Sequence, residues 1–151
     1  MNILIDTNVI LENFLQRERY DVTHRLFGNI RKQGHAMFIS TGSFYTMVFL
    51  VDKYLKRECG MTGEMRLVTL RQLMLGILND FDVAGHDKAS LIRSVNNTTF
   101  KDIEDGCQFE AAKNADCKLL LTFNISDYPT NVNSSVTVLS PEEYLDSCKE
   151  V

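Results

Sequence analysis

Met1-Asn2-Ile3-Leu4-Ile5-Asp6-Thr7-Asn8-Val9-Ile10-Leu11 is the stretch whose reading decides the fold. A short apolar run, Ile3 to Ile5, ends at a carboxylate, a hydroxyl and an amide, and a second apolar run then begins with helical spacing. A strand buried on both faces reads as a continuous apolar run. The pattern therefore predicts a strand at about residues 2–5 that delivers Asp6 to its C-terminal edge, followed at once by a helix with Thr7 or Asn8 as its cap. In parallel α/β sheets that edge is where ligands and chemistry sit. Asp6 alone reads equally well as a helix cap, so its role depends on what the rest of the chain brings beside it.

The same grammar recurs along the chain. A helix at about 21–33 turns Val22, Leu26, Phe27 and Ile30 inward, with Gly34 as its stop. Ala36 to Ile39 is a second apolar run, and Ser40-Thr41-Gly42-Ser43 turns it into a helix from about 43 to 57. A helix from about 64 to 78, a weak strand at 81–84 and a helix opened by His86-Asp87-Lys88 follow. Lys118 to Thr122 and Val136 to Leu139 read as strands, and Ser140-Pro141-Glu142-Glu143 opens a terminal helix with Pro in its first turn. Strands alternating with helices predict a three-layer α/β/α sandwich around a mostly parallel sheet of four to five strands. A length of 151 residues fits one domain, residues 1–151.

Charge and composition narrow the function classes. With 16 Lys and Arg against 20 Asp and Glu, the net charge of −4 rules out a global basic field for nucleic acid but suits carboxylates gathered around a hard cation. Cys59, Cys107, Cys117 and Cys148 form no Cys-x-x-Cys pair, and His24, His35 and His86 are isolated, which argues against structural zinc. The first apolar run is too short for a signal peptide, and no stretch approaches membrane-spanning length. A cytoplasmic protein with reduced thiols is the expectation.

Polar and acidic groups recur at equivalent edges: Asp6 after the first strand, Asn124 and Asp127 after the strand at 118–122, and Asp102, Glu104 and Asp105 at the mouth of a helix. In a doubly wound fold the strand C-termini and helix N-termini share one rim, so these groups can converge. Converging like charges are costly, and a divalent cation is the usual remedy. Acids in a first helical turn also complement the helix dipole, which is reason enough for Asp102 and, in part, Glu104. Asp105 lies one turn beyond Asp102 on an otherwise apolar face, where a carboxylate without a partner would cost several kcal/mol.

Three motifs carry a resemblance: Ile5-Asp6-Thr7-Asn8-Val9-Ile10-Leu11, Lys101-Asp102-Ile103-Glu104-Asp105-Gly106-Cys107-Gln108, and Leu121-Thr122-Phe123-Asn124-Ile125-Ser126-Asp127-Tyr128. In order and spacing the chain resembles the PIN domain family, the nuclease domain that includes the VapC-type toxins of prokaryotic toxin–antitoxin modules. The resemblance implies a metal-dependent ribonuclease in which Asp6 and Asp105 ligate Mg²⁺ or Mn²⁺, with Asp127 sharing the role and Asn124 contacting substrate or bound water. Thr122 or Asn8 would hold a ligating carboxylate by hydrogen bonds. It also implies an RNA substrate, a small antitoxin partner and a homodimer, with no membrane. One departure stands out: the family usually supplies a Glu from the helix after the second strand, near Tyr45, Thr46 or Met47, and Ser43 to Leu50 holds no acid. Glu12 or Glu104 are the candidates to compensate.

Arg17, Arg19, Lys53 and Lys101 are candidates to hold a phosphate backbone, and Tyr45 and Tyr128 to stack on bases, against the plainer readings of surface charge and packing. The missing Glu keeps a second class open: a catalytically silent RNA-binding or protein-interaction module on the same fold. A third, phosphoryl transfer through an aspartyl nucleophile at Asp6, ranks below both, because that pattern wants a second Asp two residues on and Asn8 stands there.

Overall fold

A computed structural model describes residues 1–129 and 135–149. Ile3, Leu4 and Ile5 are fully buried in β1 (Asn2–Ile5), as a strand covered on both faces requires. β1 is the centre of a five-stranded sheet of order β3-β2-β1-β4-β5, with β2 at Ala36–Ser40, β3 at Asp82–Ala84, β4 at Cys117–Leu121 and β5 at Thr137–Leu139. Every pairing is parallel, and Leu4 stands between Phe38 of β2 and Leu120 of β4.

The two-residue alternation of the strands divides the core. Ile3, Ile5, Met37, Ile39 and Leu121 face a layer built from α1 (Thr7–Phe14), α2 (Tyr20–Lys32), α3 (Thr41–Arg57), α4 (Gly63–Asp80) and α7 (Pro141–Ser147). Leu4, Ala84 and Leu120 face the other way, onto Phe109, Ala111 and Ala112 of α6 (Ile103–Asn114), against which α5 (Lys88–Asn96) packs. The α/β/α layering is the predicted one, and the sheet has five strands, all parallel.

Two local expectations are corrected, and one open choice is decided. Asp6 itself, not Thr7 or Asn8, caps α1: it keeps extended backbone angles and accepts from the Thr7 amide, so the last residue after the strand is also the one before the helix. The predicted turn at 40–43 is absent, because Ser40 ends β2 and caps α3 directly by accepting from the Ser43 amide at 2.9 Å. Tyr128 is 4% exposed and packs edge-to-face on Phe100, so it belongs to the core and offers no surface for stacking.

Away from the sheet edge, Glu110 of α6 is buried, and its carboxylate is bonded by Arg93 of α5 at 2.8 Å and Lys113 at 2.9 Å. Burial would raise that carboxyl; the hydrogen bonds of Lys113 and Arg93 outweigh it and hold Glu110 below the usual carboxylate range. All four cysteines are free. Among the described residues no helix is long and apolar enough to cross a membrane.

The strand order has one functional consequence. From β1 the chain moves outward to β2 and β3, then returns to β4 on the other side of β1. The reversal opens a crevice at the C-terminal ends of β1 and β4. Asp6 follows the first of these strands and Thr122 the second.

Candidate active site

Asp6 is held from several sides. The hydroxyl of Thr122, itself fully buried, donates to Oδ2 at 2.7 Å, and Nδ2 of Asn8 donates to the same oxygen at 3.1 Å. The Thr7 amide donates to Oδ1 at 2.7 Å and Nε2 of Gln108 approaches Oδ1 at 3.4 Å. The Thr122 hydroxyl also accepts from the Asn124 amide at 3.0 Å, which anchors the segment after β4 to the carboxylate it supports. Burial nonetheless wins: the Asp6 carboxyl titrates above its usual range, with the bonds from Thr122, Thr7 and Asn8 opposing the shift and the charge of Glu104 adding to it.

Asp105 stands on the first turn of α6, half-buried, and no donor among the described residues bonds its carboxylate. Its carboxyl is pushed up to about 6 by burial first, then by the charges of Asp102, Asp6, Asp127 and Glu104. That list is a map of the site, because like charges act on one another at short range. The Tyr128 hydroxyl, buried without a partner among the described residues, is likewise pushed up by burial and by Asp6, Asp105, Asp127 and Glu104.

Asp6, Asp105, Glu104, Asn8, Asn124, Gln108, Thr7, Leu11, Leu50 and Arg17 line one cavity of about 270 Å³. The side chains predicted from the two ends of the chain thus meet in one place. Asp102 caps α6, with Oδ1 accepting from the Glu104 amide at 2.9 Å, and acts on the cavity through its charge alone. Asp127 ends a 3-10 turn at Ile125–Asp127 and reaches Asp105 electrostatically, while Asn124, not Asp127, lines the wall. Glu12 is turned away, its carboxylate accepting from the Arg19 amide at 2.9 Å. Glu104 is therefore the additional acid that reaches the cavity. Of the cations considered, Arg17 lines it, and the Arg19 guanidinium lies 4.4 Å over the Phe123 ring.

The wall carries oxygen donors and no Cys or His, a set that suits Mg²⁺ or Mn²⁺ better than zinc. Among the described residues no three His, Cys, Asp or Glu side chains are grouped closely enough to hold an ion by themselves. Two carboxylates completed by water are the fitting arrangement, and Mg²⁺ in particular is commonly bound through one or two carboxylates with its remaining waters retained.

Two site residues were not foreseen. Gln108 and Ser43 are both buried, and the Gln108 amide bridges Ser43 Oγ and Asp6. Gln108 lies three residues after Asp105 and so on the same helix face, the one signal that could have found it.

The PIN domain family model matches residues 2–126. No curated protein sequence shows significant similarity to the chain. Among solved structures, VapBC2 from Rickettsia felis, bound to a DNA fragment from its promoter, is similar with a TM-score of 0.63 at 13% identity, over 93% of this chain and 98% of that one. VapBC-1 from nontypeable Haemophilus influenzae gives 0.64 at 10% identity over 94% and 99%. VapC20 of Mycobacterium tuberculosis, a Sarcin-Ricin loop cleaving toxin, gives 0.55 at 12% identity over 85% and 91%. At these identities the likeness is one of fold.

Proposed function

Because the chain belongs to the PIN domain family, we propose that it is a ribonuclease dependent on Mg²⁺ or Mn²⁺, hydrolysing RNA phosphodiester bonds as a single domain of residues 1–151. The observation that carries this reading is the convergence of Asp6 and Asp105 on one cavity at the sheet's crevice, where burial and the charge of Asp6 raise the cost of ionising Asp105. A bound cation would offset that cost, lower the pKa of a bound water and neutralise charge on the phosphoryl group. Asp6 and Asp105 are the residues assigned to hold it, with Asp127, whose charge reaches Asp105, and Glu104 on the wall supplying further negative charge where Ser43 to Leu50 brings none.

The chain's own residues have definite tasks in this scheme. Thr122 and Asn8 fix the rotation of the Asp6 carboxylate through Oδ2, and Asp105, with no donor to its carboxylate among the described residues, is available to the ion. Asn124, on the rim, contacts substrate or a bound water, and Arg17 is placed to draw an RNA phosphate toward the acids. Likeness to VapBC pairs supports extending the proposal to a toxin role with an antitoxin protein as partner; a homodimer as the assembly and the cytoplasm as its place complete the proposal.

The test is cleavage of a generic single-stranded RNA with Mn²⁺ or Mg²⁺ titrated into wild type and Asp6→Asn, which keeps an N-cap. Cleavage that requires the ion and is lost in Asp6→Asn is the expected result. The lack of an acid from Ser43 to Leu50 favours one other reading, a silent RNA-binding or protein-interaction module. RNA retention without any Asp6-dependent cleavage would decide for it.

A further inference from the structure

Gln108 is 4% exposed and belongs to the same face of α6 as Asp105. Its amide nitrogen donates to Oγ of Ser43 and reaches Oδ1 of Asp6 at 3.4 Å. A buried amide has two orientations, and the contact with Asp6 selects one: the flipped form would press Oε1 against a carboxylate, acceptor on acceptor. In the chosen form Oε1 is buried without a partner among the described residues. An unpaired buried acceptor is unfavourable, so packing gives no reason for a glutamine where an apolar side chain would do. What the glutamine retains in exchange is its hold on Asp6.

Its anchor is fixed as well. Ser43 Oγ accepts from Ser40 Oγ at 3.1 Å, and Ser40 Oγ accepts from the Ser43 amide, so the hydroxyl is part of the N-terminus of α3. A neutral bridge thus joins the first turn of α3, where Ser43 to Leu50 holds no acid, to Asp6.

Resting on the metal-dependent reading above, we propose that Gln108 is a positioning residue for the divalent ion: seated on Ser43, its amide holds Asp6 in the rotation that lets it share the ion with Asp105. The readout is Mn²⁺ affinity of the full chain, by calorimetry or by loss of the free-ion electron paramagnetic resonance signal, with melting of the metal-free protein followed separately. Gln108→Met keeps length and bulk but no donor, and is expected to bind Mn²⁺ roughly tenfold more weakly, the lower end of the loss seen when a ligand's supporting partner is removed. Ser43→Ala, which keeps the glutamine and removes its seat, is expected to weaken binding in the same direction and to add nothing in the Gln108→Met background.

Wild-type Mn²⁺ affinity in either single variant, or effects that multiply in the double variant, overturns the proposal. A role in packing alone would lower the melting temperature and leave Mn²⁺ affinity unchanged. If Gln108→Met does not fold, Ser43→Ala decides. Asp6→Asn separates the two levels: Mn²⁺ binding that is lost there but kept in Gln108→Met removes only the role of Gln108, whereas wild type with no Asp6-dependent binding removes the metal reading itself.

Discussion

Replacing Asp105 by Asn is expected to stabilise the metal-free protein at neutral pH. The carboxyl is held at about 6 in the fold against 3.8 in the unfolded chain, so the folded state binds its proton more tightly. Below the unfolded value both states are protonated and the group costs nothing; the cost grows as pH rises from about 4 to about 6 and is complete above that window. Taken at face value the difference corresponds to about 3 kcal/mol, and screening of a half-buried carboxylate leaves about 1–2 kcal/mol. Asn has the same shape, and no protein donor among the described residues is lost with the charge. In EDTA the variant should melt roughly 2–8 °C above wild type at pH 7.5, given a few degrees per kcal/mol for a chain of this size. The gain should shrink toward zero near pH 4. With Mn²⁺ the order should reverse, because an ion at 100 times its Kd adds about 2.7 kcal/mol to whichever form binds it. A variant less stable than wild type at pH 7.5 in EDTA, or a gain that does not shrink in acid, would refute the electrostatic account of the site.

Thr122→Val removes the 2.7 Å bond to the Asp6 carboxyl; chemical denaturation should show a loss of about 1–3 kcal/mol, the cost of leaving a buried acceptor unpaired, accompanied by weaker Mn²⁺ binding. Arg17→Ala should raise KM for RNA several-fold while kcat stays within about twofold, and should reduce the salt slope of RNA binding by about one, as filter binding across a salt series would show. Glu110 titrates below its usual range, so its contribution is present above the unfolded value of 4.5 and is lost as pH falls through the lower folded value. Glu110→Gln should therefore cost about 1–3 kcal/mol at pH 7, with the deficit narrowing in urea melts at pH 3.5.

The layering was legible because β1, β2 and β4 announce themselves as short apolar runs that each end in polar residues, and only one fold class alternates such runs with amphipathic helices. Asp6 and Asp105 were legible for a related reason: each is a charge placed where neighbouring residues are apolar. Helix starts were less so. Asp6 and Ser40 each serve two elements at once, and hydrophobic periodicity cannot show that a strand passes into a helix without an intervening turn. Gln108 escaped notice because an uncharged polar residue on a helix ordinarily faces water, and its burial depends on Ser43, 65 positions earlier. Tyr128 was open to two readings, stacking on a base or packing, and its contact with Phe100 decides for packing.

The flanks of the sheet have a bearing on how the protein behaves in a crowded cell. A wholly parallel sheet forms late, because its pairings join distant parts of the chain, and an unfinished one leaves its flanks open to strangers. Here both outer strands, β3 and β5, are three residues long, and β3 carries the exposed charge of Asp82. So short a margin is a poor template for zipping onto a neighbouring molecule or seeding a fibril. The helices, by contrast, present surfaces that can be altered without exposing the sheet.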